Sequence, residues 1–405
     1  MSTISAGTTT TTGLVQSSDT TGALVLQTGA SSTTALTLSS AQNATFANAV
    51  NLPNTFGFKN RIINGGMTID QRNAGASVTI TTDQQYTLDR WNCPMTQASK
   101  FSVQQNAGSV TPPTGFINYL GVTSLSSYSV ASGDVFDVAQ NIEGLNVADL
   151  SWGTANAKTV TLSFQVYSSL TGTFGGVLRN SAGNRSYPFA YTISSANTWT
   201  SISITIAGDT TGTWLTTNGI GIRVLFGLGC GSTYSGTAGS WSANTYYSST
   251  GAVSVVGTNG ATWYVTGVQL EVGSQATSFD FRSIGTELAL CQRYFEISYT
   301  TGVKPGTVTN VGLSQSQSVP TGYPTYGGFP VQVCFMVTKR TTPTMVTYSN
   351  NSGASGNVYT TNPAGDAATS PFVYTSANGY SGYSGANIVN AGGFIQWQWT
   401  ASAEL

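Results

Sequence analysis

The sequence predicts an all-β protein with an N-terminal fibre-like strand segment, a central jelly roll or β-sandwich, a short linking helix and a C-terminal β domain. Apolar and polar residues alternate in several runs, only 7% of the 405 residues are charged, and glycine (47 residues) is abundant. Serine and threonine are also very frequent. Long helices and coiled coils expose many charged residues, whereas strands with uncharged polar surfaces do not, so this composition favours β structure.

Residues 1–57 form the first predicted segment. Leu24 and Leu26 are followed twelve residues later by Leu36 and Leu38, in similar surroundings, which indicates short strands in a loose repeat. So little apolar surface cannot stabilise a fold alone. Two interpretations remain open: a flexible linker, or strands completed by copies of the same chain. The second predicts a parallel homotrimer.

Residues 58–283 form the predicted β-sandwich. Period-two alternation is clear in residues 160–166, 202–206 and 220–226, where Val, Leu, Ile or Phe occupy every second position. Such runs present one apolar face and one polar face, as half-buried strands do. Turns rich in Gly, Asn and Ser separate these runs without intervening helices, which is typical of a sandwich or jelly roll.

The last third of the chain begins with the only good helix signal. Residues 284–296 place apolar side chains at helical spacing, with Glu287 in the first turn and Arg293 in the last, and predict a short helical linker. Residues 297–405 return to strand patterns and predict a β-rich tip domain. Within them, residues 331–338 are apolar on both faces, as in a central strand.

Charges cluster at the two ends of the central domain. Residues 59–90 hold seven charged side chains and residues 271–296 hold six. An ion-pair network that fastens the first and last strands of the sandwich would explain this clustering. Its predicted members are Asp70, Arg72, Asp89, Arg90, Asp280 and Arg282. A catalytic carboxylate pair and a structural calcium ion are the alternatives; no other cofactor or metal is expected.

Several classes of function are excluded or disfavoured. The chain has no histidine, which excludes histidine-based triads and histidine metal sites, and its net charge of −1 disfavours nucleic-acid binding. No stretch is apolar enough for membrane insertion, and the N-terminus does not resemble a signal peptide, so we expect synthesis in a cytoplasm without export. The four cysteines are far apart and are expected to be free, although one disulfide remains open.

Two pairs of segments carry a family resemblance. NRIINGGMTIDQR (60–72) followed by YTLDRW (86–91) resembles the opening of a module common in bacteriophage tail fibres. VQLEVGSQATSFDFRS (268–283) followed by ELALCQRYFE (287–296) resembles the end of that module. Both ends occur in the right order, and the resemblance covers roughly residues 58–300. The sequence departs from the common pattern at Asp70, where the family often has an aromatic residue.

This resemblance implies a carbohydrate-binding-like β-sandwich within a homotrimeric, host-recognising appendage of a virion. Residues 1–57 would then attach the chain to other virion tail proteins, and residues 297–405 would form the tip that faces host surface glycans. A virion part made in the host cytoplasm and released by lysis needs no export signal. Two other hypotheses stay open: a structural head fibre or capsid decoration protein, and a polysaccharide depolymerase that uses carboxylates. Enzymatic activity is not the expected function.

Two uncharged loops supply candidate receptor contacts. Residues 231–250 and 376–387 combine aromatic side chains with Ser, Gly, Thr and Asn, a mixture that binding loops use because rigid rings need little ordering. The alternative is that these aromatics fold inward and anchor the loops. The candidates in the first loop are Tyr234, Trp241, Tyr246 and Tyr247. Those in the second loop, which is the preferred contact, are Tyr380 and Tyr383.

Overall fold

The computed structural model describes residues 2–5, 15–17, 24–28, 33–38, 44–46, 59–323, 330–384 and 386–405. The chain divides into two compact units, residues 1–57 and 58–405. The described residues contain 28 strands and a single α-helix of nine residues. The predicted all-β class is therefore confirmed. No described helix is long enough to cross a membrane.

The N-terminal unit contains one five-stranded sheet. Its strands are β1 (Ser2–Ser5), β2 (Val15–Ser17), β3 (Leu24–Thr28), β4 (Thr33–Leu38) and β5 (Ala44–Phe46), in the sheet order β2-β1-β3-β4-β5. The two halves of the predicted repeat pair with each other as antiparallel strands, with Leu24 opposite Leu38 and Leu26 opposite Leu36. The homotrimer stays a prediction.

Residues 59–283 form two packed six-stranded sheets and a short two-stranded one. The strands are β6 (Val78–Thr79), β7 (Gln85–Tyr86), β8 (Trp91–Cys93), β9 (Phe101–Gln105), β10 (Leu120–Ser124), β11 (Val135–Glu143), β12 (Val160–Ser168), β13 (Gly172–Arg179), β14 (Ser186–Ile193), β15 (Thr200–Ile206), β16 (Ile220–Cys230), β17 (Ser235–Gly236), β18 (Ser248–Ser249) and β19 (Thr262–Val272). The first sheet has the order β15-β12-β19-β10-β9-β6 and the second the order β14-β13-β16-β11-β8-β7. Three short 3-10 helices, Ala107–Ser109, Gly144–Asn146 and Ala148–Leu150, lie in the connections.

One apolar core lies between the two six-stranded sheets. The predicted run at 160–166 forms strand β12, which pairs antiparallel with β15 so that Leu162 lies opposite Ile204. Phe164 of the first sheet packs edge-to-face against Phe226 of the second, with ring centroids 5.0 Å apart. Period-two alternation produces this arrangement because every second side chain of each strand faces the opposite sheet.

The single helix, α1 (Ile284–Gln292), is shorter than the predicted 284–296. The chain leaves the helix after Gln292 because Phe295 pairs with Ser402 in the next sheet, where strand β20 (Phe295–Ile297) begins. Buried Cys291 packs with Ile63 and Ile69 of the opening segment. The helix thus packs on the start of the sandwich rather than only linking two domains.

The C-terminal part is organised around one long strand. The strands are β20, β21 (Ser314–Gln315), β22 (Val331–Cys334), β23 (Thr344–Tyr348), β24 (Asn357–Thr361), β25 (Ala364–Ala368), β26 (Phe372–Ser376), β27 (Gly379–Gly382) and β28 (Ile395–Ser402). Strand β28 pairs with β20, β21, β23 and β24, and Trp397 and Trp399 are buried. The central strand predicted at 331–338 is wrong, because β22 lies at the edge of the sheet β22-β27-β26 and Met336 is 81% exposed.

Candidate functional site

The uncharged loop 231–250 lies across the outer face of the second sheet, the face turned away from the core. Strands β17 and β18 in this loop pair in parallel. Gly175 on β13 and Gly227 on β16 let the loop approach closely, because a Cβ atom at Gly175 would lie only 2.3 Å from the Ser249 Oγ atom. The loop therefore packs directly on Gly175 and Gly227, where the absence of a Cβ atom makes room for it.

Two of the predicted aromatic residues anchor this loop. The indole of Trp241 packs edge-on against Trp152 and Trp214, and its Nε1 atom donates a hydrogen bond to the carbonyl oxygen of Ala207 at 2.8 Å. Tyr246 packs on the small apolar cluster that includes Val177 on the outer face. Both side chains are half-buried, so their placement favours the inward-folding alternative.

The other two predicted residues of the loop line a cavity of about 290 Å³, which we call the arginine pocket. The ring centroids of Tyr234 and Tyr247 are 5.5 Å apart in an edge-to-face arrangement. Arg179 and Arg223 lie opposite each other on the neighbouring strands β13 and β16. The full lining is Asp83, Gln84, Pro94, Met95, Thr96, Gly133, Val135, Arg179, Arg223, Tyr234 and Tyr247.

The two arginines have few partners. The Arg179 side chain is buried, its guanidinium carbon lies 4.1 Å from the Tyr247 ring centroid, and its Nη2 atom donates to the Tyr247 hydroxyl at 3.3 Å. Among the described residues, the buried Nε and Nη1 atoms of Arg179 and the buried Nε atom of Arg223 have no hydrogen-bond partner. Burial, and secondarily the charge of Arg179, lower the pKa of Arg223.

Two carboxyl groups lie near the arginines without forming an ion pair with them. Asp137 is fully buried, neither of its oxygens has a hydrogen-bond partner in the described chain, and burial raises its pKa well above the usual range despite the opposing charge of Arg179. Asp83, at the exposed rim, accepts a hydrogen bond from the Met95 amide at 3.0 Å. The pocket thus combines two aromatic rings in edge-to-face contact with buried, unused guanidinium donors.

The second predicted loop is not a loop at its centre. Residues 379–382 form β27, and Tyr380 is fully buried, with its hydroxyl oxygen accepting a hydrogen bond from the Trp397 Nε1 atom at 3.0 Å. Tyr380 is a core residue, and its prediction as a surface contact is wrong. Tyr383 lies just beyond the strand and is half-buried.

The predicted ion-pair residues divide into two groups. Arg72 and Arg90 both pair with Glu404, which is not among the predicted members of the network. Arg282 lies 3.7 Å from the nearest carboxylate oxygen of Asp280 and 3.3 Å from that of Glu287. Arg72 and Arg90 therefore contact the residues that follow β28 instead of the end of the sandwich.

Asp70 and Asp89 act through hydrogen bonds. Asp70 accepts from the amides of Asn73 and Gly75 at 2.9 and 2.7 Å, which closes a local turn. Asp89 is fully buried and accepts from the backbone and side-chain nitrogens of Gln71 at 2.7 and 2.6 Å. Burial raises the pKa of Asp89 to about 7. Neither residue forms an ion pair within the described part of the chain.

A second cavity of about 370 Å³ lies on the outer face of the first sheet. Phe116, Phe279 and Phe281 line it together with Gln165 and several serines, and the rings of Phe279 and Phe281 are 4.9 Å apart. The lining residues are uncharged. This groove is the structural rival of the arginine pocket.

Other carboxylates are occupied by internal partners. Glu271 accepts hydrogen bonds from the backbone amide and hydroxyl of Thr277 at 2.8 and 2.6 Å. Across the described ranges, no three acidic or cysteine side chains are grouped closely enough to hold a metal ion. The four cysteines are free thiols: Cys93 and Cys291 are buried, Cys230 is half-buried and Cys334 is exposed.

Comparisons with known proteins show remote likeness to solved structures. No family profile and no curated protein matches the sequence. A putative sugar-binding protein from Bacteroides thetaiotaomicron is 11% identical, with a TM-score of 0.30 over 53% of this chain and 100% of that one. The enzymatically active domain of tailspike protein 4 from bacteriophage CBA120 is 12% identical, with a TM-score of 0.29 over 53% of this chain and 21% of that one. A family 11 carbohydrate-binding module from Clostridium thermocellum, also 12% identical, covers 50% of this chain and 97% of its own with a TM-score of 0.25.

Proposed function

We propose that this chain is a phage tail fibre, a homotrimeric virion appendage that adheres to host surface glycans, and that its β-sandwich binds sugar in the arginine pocket. The observation that carries the proposal is the pocket itself: two tyrosines, the buried Arg179 and the half-buried Arg223, both with unused donors, meet in a cavity of about 290 Å³. Aromatic faces stack on sugar rings, and guanidinium groups donate to sugar oxygens, so the lining suits a glycan.

The tail-fibre part of the proposal rests on the sequence. The opening and closing segments that resemble the tail-fibre module lie together in space, because the Arg61 amide donates to the Leu270 carbonyl oxygen at 2.9 Å. Three copies of one weak site, multiplied by several fibres, would give a particle high avidity without a tight single site. Residues 1–57 would attach the chain to other tail proteins.

Binding to bacterial surface polysaccharides tests this proposal. We would print capsular and lipopolysaccharide glycans on an array, apply the full-length chain, and compare it with Tyr234→Ala. We expect binding that the substitution weakens about tenfold or more, since a lost aromatic contact is worth about 1–3 kcal/mol. Phe281→Ala, in the rival groove, is the matched control and should bind normally.

The other outcomes of this experiment would point to a different site or a different function. Loss of binding in Phe281→Ala alone would move the site to the groove of the first sheet. No binding to any glycan, together with labelled chain on the capsid in images of intact particles, would favour the structural head-fibre hypothesis. Release of new reducing ends from a bound polysaccharide would instead identify a depolymerase.

A further inference from the structure

We infer that the glycan bound in the arginine pocket carries an anionic group, such as a uronic-acid carboxylate or a phosphate, and that this group lies between Arg179 and Arg223. This inference rests on the proposed function, and it goes further by naming the charge of the ligand.

Arg179 and Arg223 lack the carboxylate partner that most arginines of the described chain have. Only 14 of the 405 residues are lysine or arginine. Six arginines of the described chain form ion pairs with carboxylates: Arg61, Arg72, Arg90, Arg185, Arg282 and Arg293. Neither Arg179 nor Arg223 has a carboxylate oxygen within 4.0 Å among the described residues. In a chain with so few charged residues, two positive groups thus lie side by side without a carboxylate partner.

Burial makes the missing partners of these arginines costly. Arg179 is 6% exposed, and three guanidinium nitrogens of the pair are buried without a hydrogen-bond partner in the described chain. A buried charge without a partner is costly, and guanidinium groups stay protonated, so the cost is not relieved by losing a proton. An anion that accepts hydrogen bonds from both residues would remove this cost.

The two guanidinium groups are also placed so that both can reach one ligand group. Cross-strand neighbours have Cβ atoms about 5 Å apart, so two side chains in register can reach one ligand group. Arg179 and Arg223 are such a pair, and Tyr247 stacks on the Arg179 guanidinium and fixes its plane. Planar guanidinium forks match the two or three oxygens of a carboxylate or phosphate.

Two nearby acids do not supply this anion. Asp137 is buried beside Arg179, neither of its carboxyl oxygens accepts a hydrogen bond in the described structure, and its raised pKa favours the neutral form. Asp83 is exposed at the rim, where its Oδ1 atom accepts from the Met95 amide at 3.0 Å and its Oδ2 atom from the Gln84 side chain at 3.3 Å. The pocket therefore keeps a positive surplus.

The test compares matched acidic and neutral glycans on the full-length chain. Each acidic polysaccharide on the array is accompanied by its carboxyl-reduced or dephosphorylated form, and wild type is compared with Arg223→Gln. We expect acidic members to bind, removal of the anionic group to weaken binding at least tenfold, and Arg223→Gln to weaken it at least as much. Lys304→Gln removes the same charge from an exposed position and should change nothing.

A second measurement does not depend on finding the right sugar. Acetate or phosphate, compared with chloride at equal ionic strength, should raise the melting temperature of the wild type and leave that of Arg223→Gln unchanged. Without added anion, Arg223→Gln should melt at a higher temperature than wild type, because one half-buried charge without a carboxylate partner is gone. A merely structural arginine would instead lower the melting temperature when replaced.

The outcomes separate this inference from the proposed function. Equal binding to acidic and neutral members, unaffected by Arg223→Gln, would overturn the anionic ligand and leave glycan adhesion standing. No glycan binding with anion stabilisation that depends on Arg223 would overturn adhesion at this site and retain an anion site. No glycan binding and no anion stabilisation would overturn both.

Discussion

The guanidinium of Arg293 forms a two-pronged ion pair with the carboxylate of Glu143, with N···O distances of 2.9 and 2.6 Å across 150 residues of sequence. The Tyr294 hydroxyl donates to the same carboxylate at 2.6 Å. The Glu143 side chain is fully buried. This contact joins the end of β11 in the sandwich to the turn that follows α1, and so ties the sandwich to the C-terminal sheets.

Replacing Glu143 by Gln should destabilise residues 58–405. Burial raises the pKa of Glu143, but hydrogen bonds from Arg293 and Tyr294 lower it more, so its folded-state pKa lies below the ordinary value. Breaking the pair should cost about 2–3 kcal/mol, less than a fully buried pair because Arg293 is partly exposed. Chemical denaturation measures this cost, and Asp149→Asn, which removes the exposed partner of Arg61, should cost less than about 1 kcal/mol.

The same pair predicts a pH dependence. A carboxyl group with a depressed folded-state pKa contributes stability above its unfolded pKa of about 4.3 and loses that contribution as the pH falls through the folded value. The stability difference between wild type and Glu143→Gln should therefore be constant from about pH 6 to 8 and shrink below about pH 4. A difference that grows in acid would contradict this prediction.

Lys339 and Glu296 form a second buried ion pair, and we expect each charge to contribute to stability only while the other is present. The Lys339 Nζ atom donates to Glu296 and to the carbonyl oxygens of Gln292 and Val337 at 2.6 and 2.8 Å. Lys339→Met should cost about 3 kcal/mol, because Glu296 is left buried and unpaired. Adding Glu296→Gln should recover part of this loss, and a double-mutant cycle that shows simple additivity would contradict the coupling.

Tyr380→Phe should affect stability and not adhesion. The hydroxyl of Tyr380 is the acceptor for the buried Trp397 indole, so its loss leaves an unsatisfied donor and should cost about 1–3 kcal/mol. Thermal melting measures the loss, and glycan binding by the folded variant should match that of wild type. Tyr374→Ala, at a ring that is 80% exposed, should leave the melting temperature nearly unchanged. Reduced binding by a stable Tyr380→Phe variant would restore this position as a contact.

Gly175→Ala tests whether the close packing of loop 231–250 on β13 is needed for binding. The added methyl group would lie 2.3 Å from the Ser249 Oγ atom and 2.8 Å from the Ser249 amide nitrogen, so loop 231–250 must shift. We expect glycan binding to fall about tenfold or more, since small displacements of binding groups are costly. Gly285→Ala has open space around the new methyl group and lies in α1, so it should stabilise by up to about 1 kcal/mol without changing binding.

The oligomeric state is testable directly. If the chain is a homotrimer, light scattering of the purified protein should give a mass near three times 42.1 kDa. A mass of one chain at micromolar concentration would contradict the trimer. It would leave the pocket and its ligand to be tested separately, because the arginine pocket is formed by residues of a single chain.

Local patterns predicted the elements well. Alternation at 160–166 and 202–206 predicted strands β12 and β15, and the repeat of Leu24 and Leu36 predicted strands β3 and β4. These predictions succeed because side-chain period and secondary structure are coupled locally. The length of α1 was not predictable in the same way, because the pairing of Phe295 with Ser402 ends the helical region, and that partner is far away in sequence.

Long-range partners explain the other errors. Clustering of charges singled out Arg72 and Arg90, but their carboxylate, Glu404, lies more than 300 residues away. Aromatic content singled out Tyr380, but composition cannot tell a ring that lines a loop from one that fills a core. Arg179 and Arg223 were missed, although Arg223 interrupts an apolar strand and Arg179 ends another in a charge-poor chain, which is the signal that points to them.

The opening and closing segments of the sandwich run side by side, as the hydrogen bonds from Arg61 to Leu270 and from Val268 to Gly65 show. The backbone therefore arrives at and departs from this domain at nearly the same place. If recombination replaced the stretch between these two segments, the protein would carry a different sandwich, and the path of the flanking chain would stay the same. Among the described residues, Glu143, Asn218 and the sandwich residues that contact Glu404 and Leu405 would have to be matched in the replacement domain. If the arginine pocket binds a glycan as proposed, this geometry lets the domain be exchanged as one unit, and a single recombination event would then change the ligand preference.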